Sequence, residues 1–190
     1  MKSLVIIFVA FFLMLNFCLA ADFRNSDWGM SIEEVKKIEK GIEWVEPVLD
    51  SEIIYIFFVT EVGGLNVQAY YFFIDNKFFK AAYFFENHTD ENQCLLDYMN
   101  IQEILSKKYD EGQFDFDWSD DRYQGDEDYY GYAISMGHLS MTTTYENAKT
   151  YIEHNIKGKK HEIQHSIVYF SNKHYHLLEE FLNKKNGSDF

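Results

Sequence analysis

Cysteine is nearly absent from this chain. There are two in 190 residues, Cys18 and Cys94. If Cys18 departs with the N-terminal leader argued below, Cys94 stands alone and no intramolecular disulfide can form. The fold must then rest on its core, without the covalent staples that small secreted domains often use. Cys94 lies beside Leu95 and Leu96 in an apparent helix, which predicts a buried, inert thiol. Positive charge is also scarce: 17 Lys and Arg face 31 Asp and Glu, a net charge of −14. Such a surface repels phosphate backbones and anionic headgroups, which argues against nucleic acid as a partner. Catalytic signatures are missing too. There is no G-x-S-x-G elbow, no H-E-x-x-H, no phosphate-binding glycine loop and no dinucleotide fingerprint. Carboxylates abound, but no spacing selects an acid and base pair.

Long apolar runs are confined to the N-terminus. Met1-Lys2-Ser3 is a short positive start, Leu4 to Leu15 is unbroken apolar sequence, and Cys18-Leu19-Ala20 places small residues before Ala21. That order is a secretory signal peptide over residues 1–20. The run is too short to cross the hydrocarbon core, which takes about 20 apolar residues. Phe17 stands where a lipoprotein signal would place a small residue before Cys18, so a soluble product is expected rather than an acylated one. Charges interrupt every later candidate span, so no transmembrane segment is expected in the mature chain. Loss of Lys2 with the leader takes the net charge from −14 to −15. Residues 21–190 suit one domain exported to the periplasm or outside the cell. Aromatic content of 18% is too high for a disordered chain, so a real core should form. Asn87-His88-Thr89 and Asn186-Gly187-Ser188 match the glycosylation acceptor pattern, relevant only in a eukaryotic host.

Ser31 followed by Glu34 is a capping box, Met30 and Val35 hold the two staple positions around it, and lysines follow, so a helix is predicted over 32–40 with Gly41 as its stop. Strands are predicted over 53–60, 65–74 and 78–85, the last two joined by the hairpin turn Asp75-Asn76. These strands are apolar on both faces. Either helices cover the second face, which is the expected outcome, or that face binds something apolar. A second helix is predicted over 91–108, capped by Thr89 or Asp90. Residues 110–130 read as an acidic, aromatic loop. Strands are then predicted at 132–145, 150–156 and 161–170, with a turn at Gly158, and a last helix at 173–184. The expected fold is α+β: an antiparallel sheet of about five to six strands with three helices. An echo between Lys77–Phe85 and His161–Phe170, each followed by an asparagine and a leucine-bearing helix, suggests two hairpin-helix repeats.

Phe23-Arg24, Trp28-Gly29-Met30-Ser31 and Glu34-Val35 together resemble the motif F-R-x-x-x-W-G-M-[ST]-x-x-E-V of a group of uncharacterised secreted bacterial proteins. More distantly, the glycine-methionine-serine helix start is similar to the opening of SmpA/OmlA-type assembly lipoproteins and of β-lactamase-inhibitor-like modules. The resemblance covers residues 23–35 and implies a helix leading into an antiparallel sheet. It brings no catalytic residue, and without a lipobox it brings no membrane anchor. Its simplest meaning is a helix start with an aromatic anchor.

Two metal sites can be drawn. Asp115, Asp117, Ser119, Asp121 and Asp126 fall at positions 1, 3, 5, 7 and 12 of a calcium-loop pattern, although Asp120 replaces the turn glycine and Asp126 the final glutamate. On the last hairpin, His154 shares a strand face with Ile152 and Ile156, and His161 and His165 share the matching face of the partner strand. A Gly158-Lys159 turn would set Ile163 opposite His154 and let the three imidazoles converge on zinc. His174 and His176 read as surface residues. The favoured expectation is a non-catalytic binding or envelope accessory domain without a cofactor, its partner an envelope protein or an apolar ligand. The alternative is a zinc- or calcium-dependent protein, with hydrolysis as its candidate chemistry, using these residues.

Overall fold

The computed structural model of the chain describes residues 21–40, 42–45 and 53–187. The leader read over residues 1–20, and Gly41, lie outside them. The described residues form an α+β fold around one antiparallel sheet. Its strands are β1 (Ile53–Val62), β2 (Leu65–Ile74), β3 (Lys77–Phe85), β4 (Gln113–Trp118), β5 (Leu139–Glu146), β6 (Thr150–Lys159) and β7 (Glu162–Ser171). Their order across the sheet is β1-β2-β3-β7-β6-β5-β4. The helices are α1 (Ile32–Ile38), α2 (Glu91–Tyr109), α3 (Tyr130–Met136) and α4 (Tyr175–Gly187).

Both counts exceed the expected five to six strands and three helices. The additional strand is β4, inside what reads as the acidic loop. Phe114, Asp115, Phe116, Asp117 and Trp118 alternate apolar and acidic residues with the period of two of a strand, and this edge strand is exposed up to Trp118. The additional helix is α3, where sequence alone suggests a strand over 132–145. Gly137, left-handed at φ 81°, ends that helix, and β5 starts only at Leu139.

Local chemistry accounts for the other elements. Ser31 accepts from the Glu34 amide and Glu34 accepts from the Ser31 amide, so the capping box at α1 is complete. Asp90 caps α2 by accepting from Asn92 and Gln93. Asp75 and Asn76 both take positive φ, the two-residue turn that matches strand twist. Lys160 and His161 repeat that conformation 85 residues later between β6 and β7. The strands β1 to β3 and β5 to β7 are thus each a three-stranded meander followed by a helix, with β4 added at the edge of the second, and β3 and β7 meet with Ala82 opposite Val168. The meanders also differ in a bulge. Phe72 pairs with Lys80 and Phe73 with Phe78, which leaves Phe79 as an extra bulged residue in β3.

One face of the sheet carries the core. Beneath β1 to β3 it is built around Phe23, Tyr71, Phe78, Tyr83 and Tyr169. Beneath β5 and β6 it is built around Tyr98, Ile134, Met141, Ile156 and Ile163. The helices α1, α2 and α3 all bury their residues in these two clusters. The segment before α1 lies there too, and the residues of the N-terminal motif hold it. The Phe23 ring sits 5.1 Å from those of Tyr71 and Tyr169. Trp28 donates from Nε1 to Thr150 Oγ1 at 2.9 Å. The Gly29 amide donates to the Phe78 carbonyl at 2.8 Å. Among the described residues, no helix is long and apolar enough to cross a membrane.

Candidate functional site: an open aromatic face and a buried histidine pair

Alternation along the strands sends every second side chain to the other face of the sheet. On β1 to β3 and β7 six of those side chains are aromatic, set among Val59, Gln68, Lys80, Ala82, Ser166 and Val168. Tyr55 and Phe57 of β1, Tyr70 and Phe72 of β2 and Phe84 of β3 form a connected array of rings, and Phe170 of β7 lies across Lys80 from it. Phe57 stacks on Tyr70 at 4.7 Å and 11°. Tyr70 stacks with Phe72 at 5.9 Å and meets Phe84 edge-on at 5.3 Å. Tyr55 lies 5.5 Å from Tyr70 and 5.8 Å from Phe72. None of these rings is fully buried, and Val59 on the same face is 63% exposed. Among the described residues the three helices of the core leave this face open, so coverage by helices, the outcome expected from sequence, is not what these strands receive. The fourth helix touches the rim of the array, where Tyr175 packs edge-on against Phe170 at 5.7 Å. Beside that contact a groove of about 410 Å³ runs between Tyr151, Glu153, Phe170 and Tyr175.

Lys80 stands within the array. Its Nζ lies 5.1 Å from the centre of the Phe72 ring and 5.2 Å from that of Phe170. Burial pushes its ammonium below the usual lysine range, and the Glu153 carboxylate opposes that effect. The cation is thereby occupied by the rings, and the face is apolar in character.

The other feature is buried. His154 of β6 and His165 of β7 meet through their Nε2 atoms at 2.8 Å. His154 is stacked on Tyr98 of α2 at 4.1 Å, and His165 on Phe85 of β3 at 3.9 Å. The Tyr98 hydroxyl bonds to Thr143 Oγ1 at 2.9 Å, which fixes its ring over His154. His154 Nδ1 is buried without a partner. A buried N–H left unpaired is costlier than a bare lone pair, which assigns His154 Nε2 as donor and His165 Nε2 as acceptor. Burial holds both imidazoles neutral. It depresses His165 to about 4 against an opposing pull from Asp97, and it depresses His154 well below its ordinary value, with His165 adding to the effect.

The three histidines singled out from sequence therefore separate. The hairpin turn is Lys160-His161, not Gly158-Lys159, so His154 faces Ile167 rather than Ile163. His161 occupies the turn itself, exposed, its amide donating to the Ser135 carbonyl. Gly158 is not a turn residue. It lets the end of α3 approach β6, since a Cβ there would lie 2.4 Å from the Ile134 carbonyl oxygen. Two imidazoles sharing a tetrahedral zinc would hold their nitrogens about 3.3 Å apart, given bonds of about 2.0–2.1 Å. The 2.8 Å separation of His154 and His165 is a hydrogen bond.

The calcium pattern is spread out rather than closed. Asp115 and Asp117 lie in β4, opposite Thr142 and Ser140. Ser119 donates to the Gly137 carbonyl. The Asp121 carbonyl accepts from the Gln124 amide, and Asp126 precedes a 3₁₀ turn over Glu127–Tyr129. An extended strand cannot wrap its carboxylates around one ion as a twelve-residue loop does. Among the described residues, no group of three or more His, Cys, Asp or Glu side chains is placed to hold a metal ion. His174, read as a surface residue, is instead partly buried: it bonds to Ser171 Oγ at 3.1 Å and lies against Gly29. Cys94 is buried, as its sequence context indicates, and burial raises its thiol. Asn87 donates from its side chain to the Ile163 carbonyl.

The chain was compared with protein-family models, curated proteins and solved structures, and none of them matches it.

Proposed function

We propose that this protein is an exported, non-catalytic binding domain, and that the open aromatic face of β1, β2, β3 and β7 is its binding surface. The observation that carries this reading is the connected array of partly exposed rings from Tyr55 to Phe84, which Lys80 bridges to Phe170. Contiguous exposed apolar patches on a folded domain mark interaction sites more often than they occur idly. Aromatic residues also supply large contact area at low cost in side-chain entropy. The fitting partner is an amphipathic helical segment of an envelope protein, with aromatic or aliphatic residues on one side and basic residues flanking them. Tyr175 of α4 already meets Phe170 in that manner, and a net charge of −14 favours a basic approach. The export signal over residues 1–20 and a periplasmic or extracellular location belong to the same proposal. So does the reading of the two meander-helix halves as copies of one unit, supported by the 85-residue spacing of their left-handed turns.

The test is a titration with a labelled synthetic helix carrying a leucine and phenylalanine stripe flanked by lysines, followed by fluorescence anisotropy. Saturable binding is expected, weakened tenfold or more by Val59→Asp with Tyr70→Ser and unchanged by Gln113→Ala on the distant edge strand. Equal affinity in all three proteins would refute the assignment of this face. Binding of an apolar dye at these residues without binding of the helix would shift the reading to a small apolar ligand.

A further inference from the structure

We propose that His154 and His165 form a proton-operated latch, which keeps α2 seated on the sheet at neutral pH and releases it on acidification. The argument starts from geometry. The two imidazoles lie under the middle of α2, where Tyr98 covers His154 at 4.1 Å. A neutral pair satisfies itself, since one Nε2–H donates to the other Nε2 at 2.8 Å. A pair carrying one proton can keep that hydrogen bond but places a cation in the core. A pair carrying two presents N–H to N–H, loses the bond and sets two like charges in contact.

The surroundings offer little to a second charge. From the sheet, the pair's neighbours include Ile152, Ile156, Ile163 and Ile167, all apolar. Phe85 of β3 lies flat on His165, and Thr143 of β5 is bound to the Tyr98 hydroxyl. From α2 come Tyr98, Cys94 and Asp97. Burial raises the tyrosine and the thiol, so neither supplies negative charge in the relevant range. Asp97 is the nearby acid, and its oxygens are already engaged. Oδ2 meets Nε2 of His88, from the segment before α2, at 2.7 Å, and Oδ1 accepts from Gln93 at 2.9 Å. Asp97 can ease one proton onto His165, not a second onto His154.

The sign follows from linkage. Unfolded histidine takes up its proton near pH 6.5, whereas in the folded pair burial holds His165 down to about 4 and His154 well below its ordinary value. The folded state therefore binds fewer protons than the open one throughout that window. Stability is fully present above about 6.5 and falls as the pH drops, by up to tenfold in the opening equilibrium per pH unit for each proton.

The experiment is amide hydrogen exchange on the whole protein between pH 7.5 and 4.5, expressed as protection factors to remove the pH dependence of the chemistry. Protection across Glu91–Tyr109 is expected to fall at least tenfold between pH 6.5 and 5, and to stay level over that interval in His154→Gln/His165→Gln. A fall of equal size in the double variant would assign the effect to carboxylates and overturn the proposal. If the double variant does not fold, the imidazole Cε1 proton signals of the natural protein decide. Neither histidine should titrate before α2 loses protection. A folded-state titration of either near pH 6.5, with α2 still protected, would overturn the latch.

Discussion

The hydroxyl of Tyr71 donates a 2.9 Å hydrogen bond to the carboxylate of Glu39. This contact joins the centre of β2 to the residue just after α1, and it organises a buried polar cluster. Asn25 donates to the same carboxylate from its amide and its side chain, each at 3.2 Å, and Arg24 pairs with it at 3.6 Å. Glu39 is 3% exposed, so its charge depends on these donors. Burial, with the Glu39 carboxylate adding to it, pushes the Tyr71 phenol far above its ordinary range and keeps the donor protonated. Tyr71→Phe is expected to cost about 1–3 kcal/mol, because it deprives a buried carboxylate of one donor. Glu39→Ala is expected to cost at least as much, because it leaves the buried Tyr71 hydroxyl without its acceptor and removes the anchor after α1. Urea unfolding of both variants checks the order as well as the size.

Gly158 permits a close approach that no other residue could. The Cβ of an alanine would lie 2.4 Å from the Ile134 carbonyl oxygen, 3.0 Å from the Ser135 Cα and 3.1 Å from the Glu162 carbonyl oxygen, all backbone atoms. Gly158→Ala is therefore expected to destabilise by about 3 kcal/mol and to push α3 off β6. The amide signals of Tyr130–Met136 should shift with it. A loss below about 0.5 kcal/mol would mean that α3 is not seated as described.

Metal removal separates the binding reading from the metal-dependent alternative. Protein purified without chelator is expected to carry far less than one zinc or calcium per chain and to melt at the same temperature with and without EDTA. One equivalent of zinc, lost together with stability on chelation and on His154→Gln, would restore the alternative and place His154 and His165 among the ligands.

Much of this fold is legible in the chain, because the signals are local. The Ser31 and Glu34 capping box, the Asp75-Asn76 turn and the apolar runs of β1 to β3 each sit within a few residues of what they determine. The elements missed are those set by distant partners. The helix α3 has no side-chain cap, and it forms because Ala133 and Ile134 bury against α2 and β6. The alternation in β4 was present but masked by its charge, since Asp115 and Asp117 make the segment look like loop. The histidine site turned on register. A turn placed at Gly158 is plausible from composition, but that glycine serves a helix contact, and the true turn at Lys160-His161 offers no glycine to mark it. A four-residue slip brought His165 to His154 and left His161 outside. The doubly apolar strands were visible, whereas which face the helices would take was not, because the choice rests on long-range packing of Phe23, Trp28 and Tyr98.

The most direct test of the central claim is to map where the synthetic amphipathic helix binds, by following aromatic and amide NMR signals of the purified protein during titration. The account predicts saturable changes at Tyr55, Phe57, Val59, Tyr70, Phe72 and Phe84, with the signals of Met141 and Ile156 on the opposite face unmoved. Changes centred on the core-side helices or on the acidic segment after β4, with the ring array silent, would contradict it.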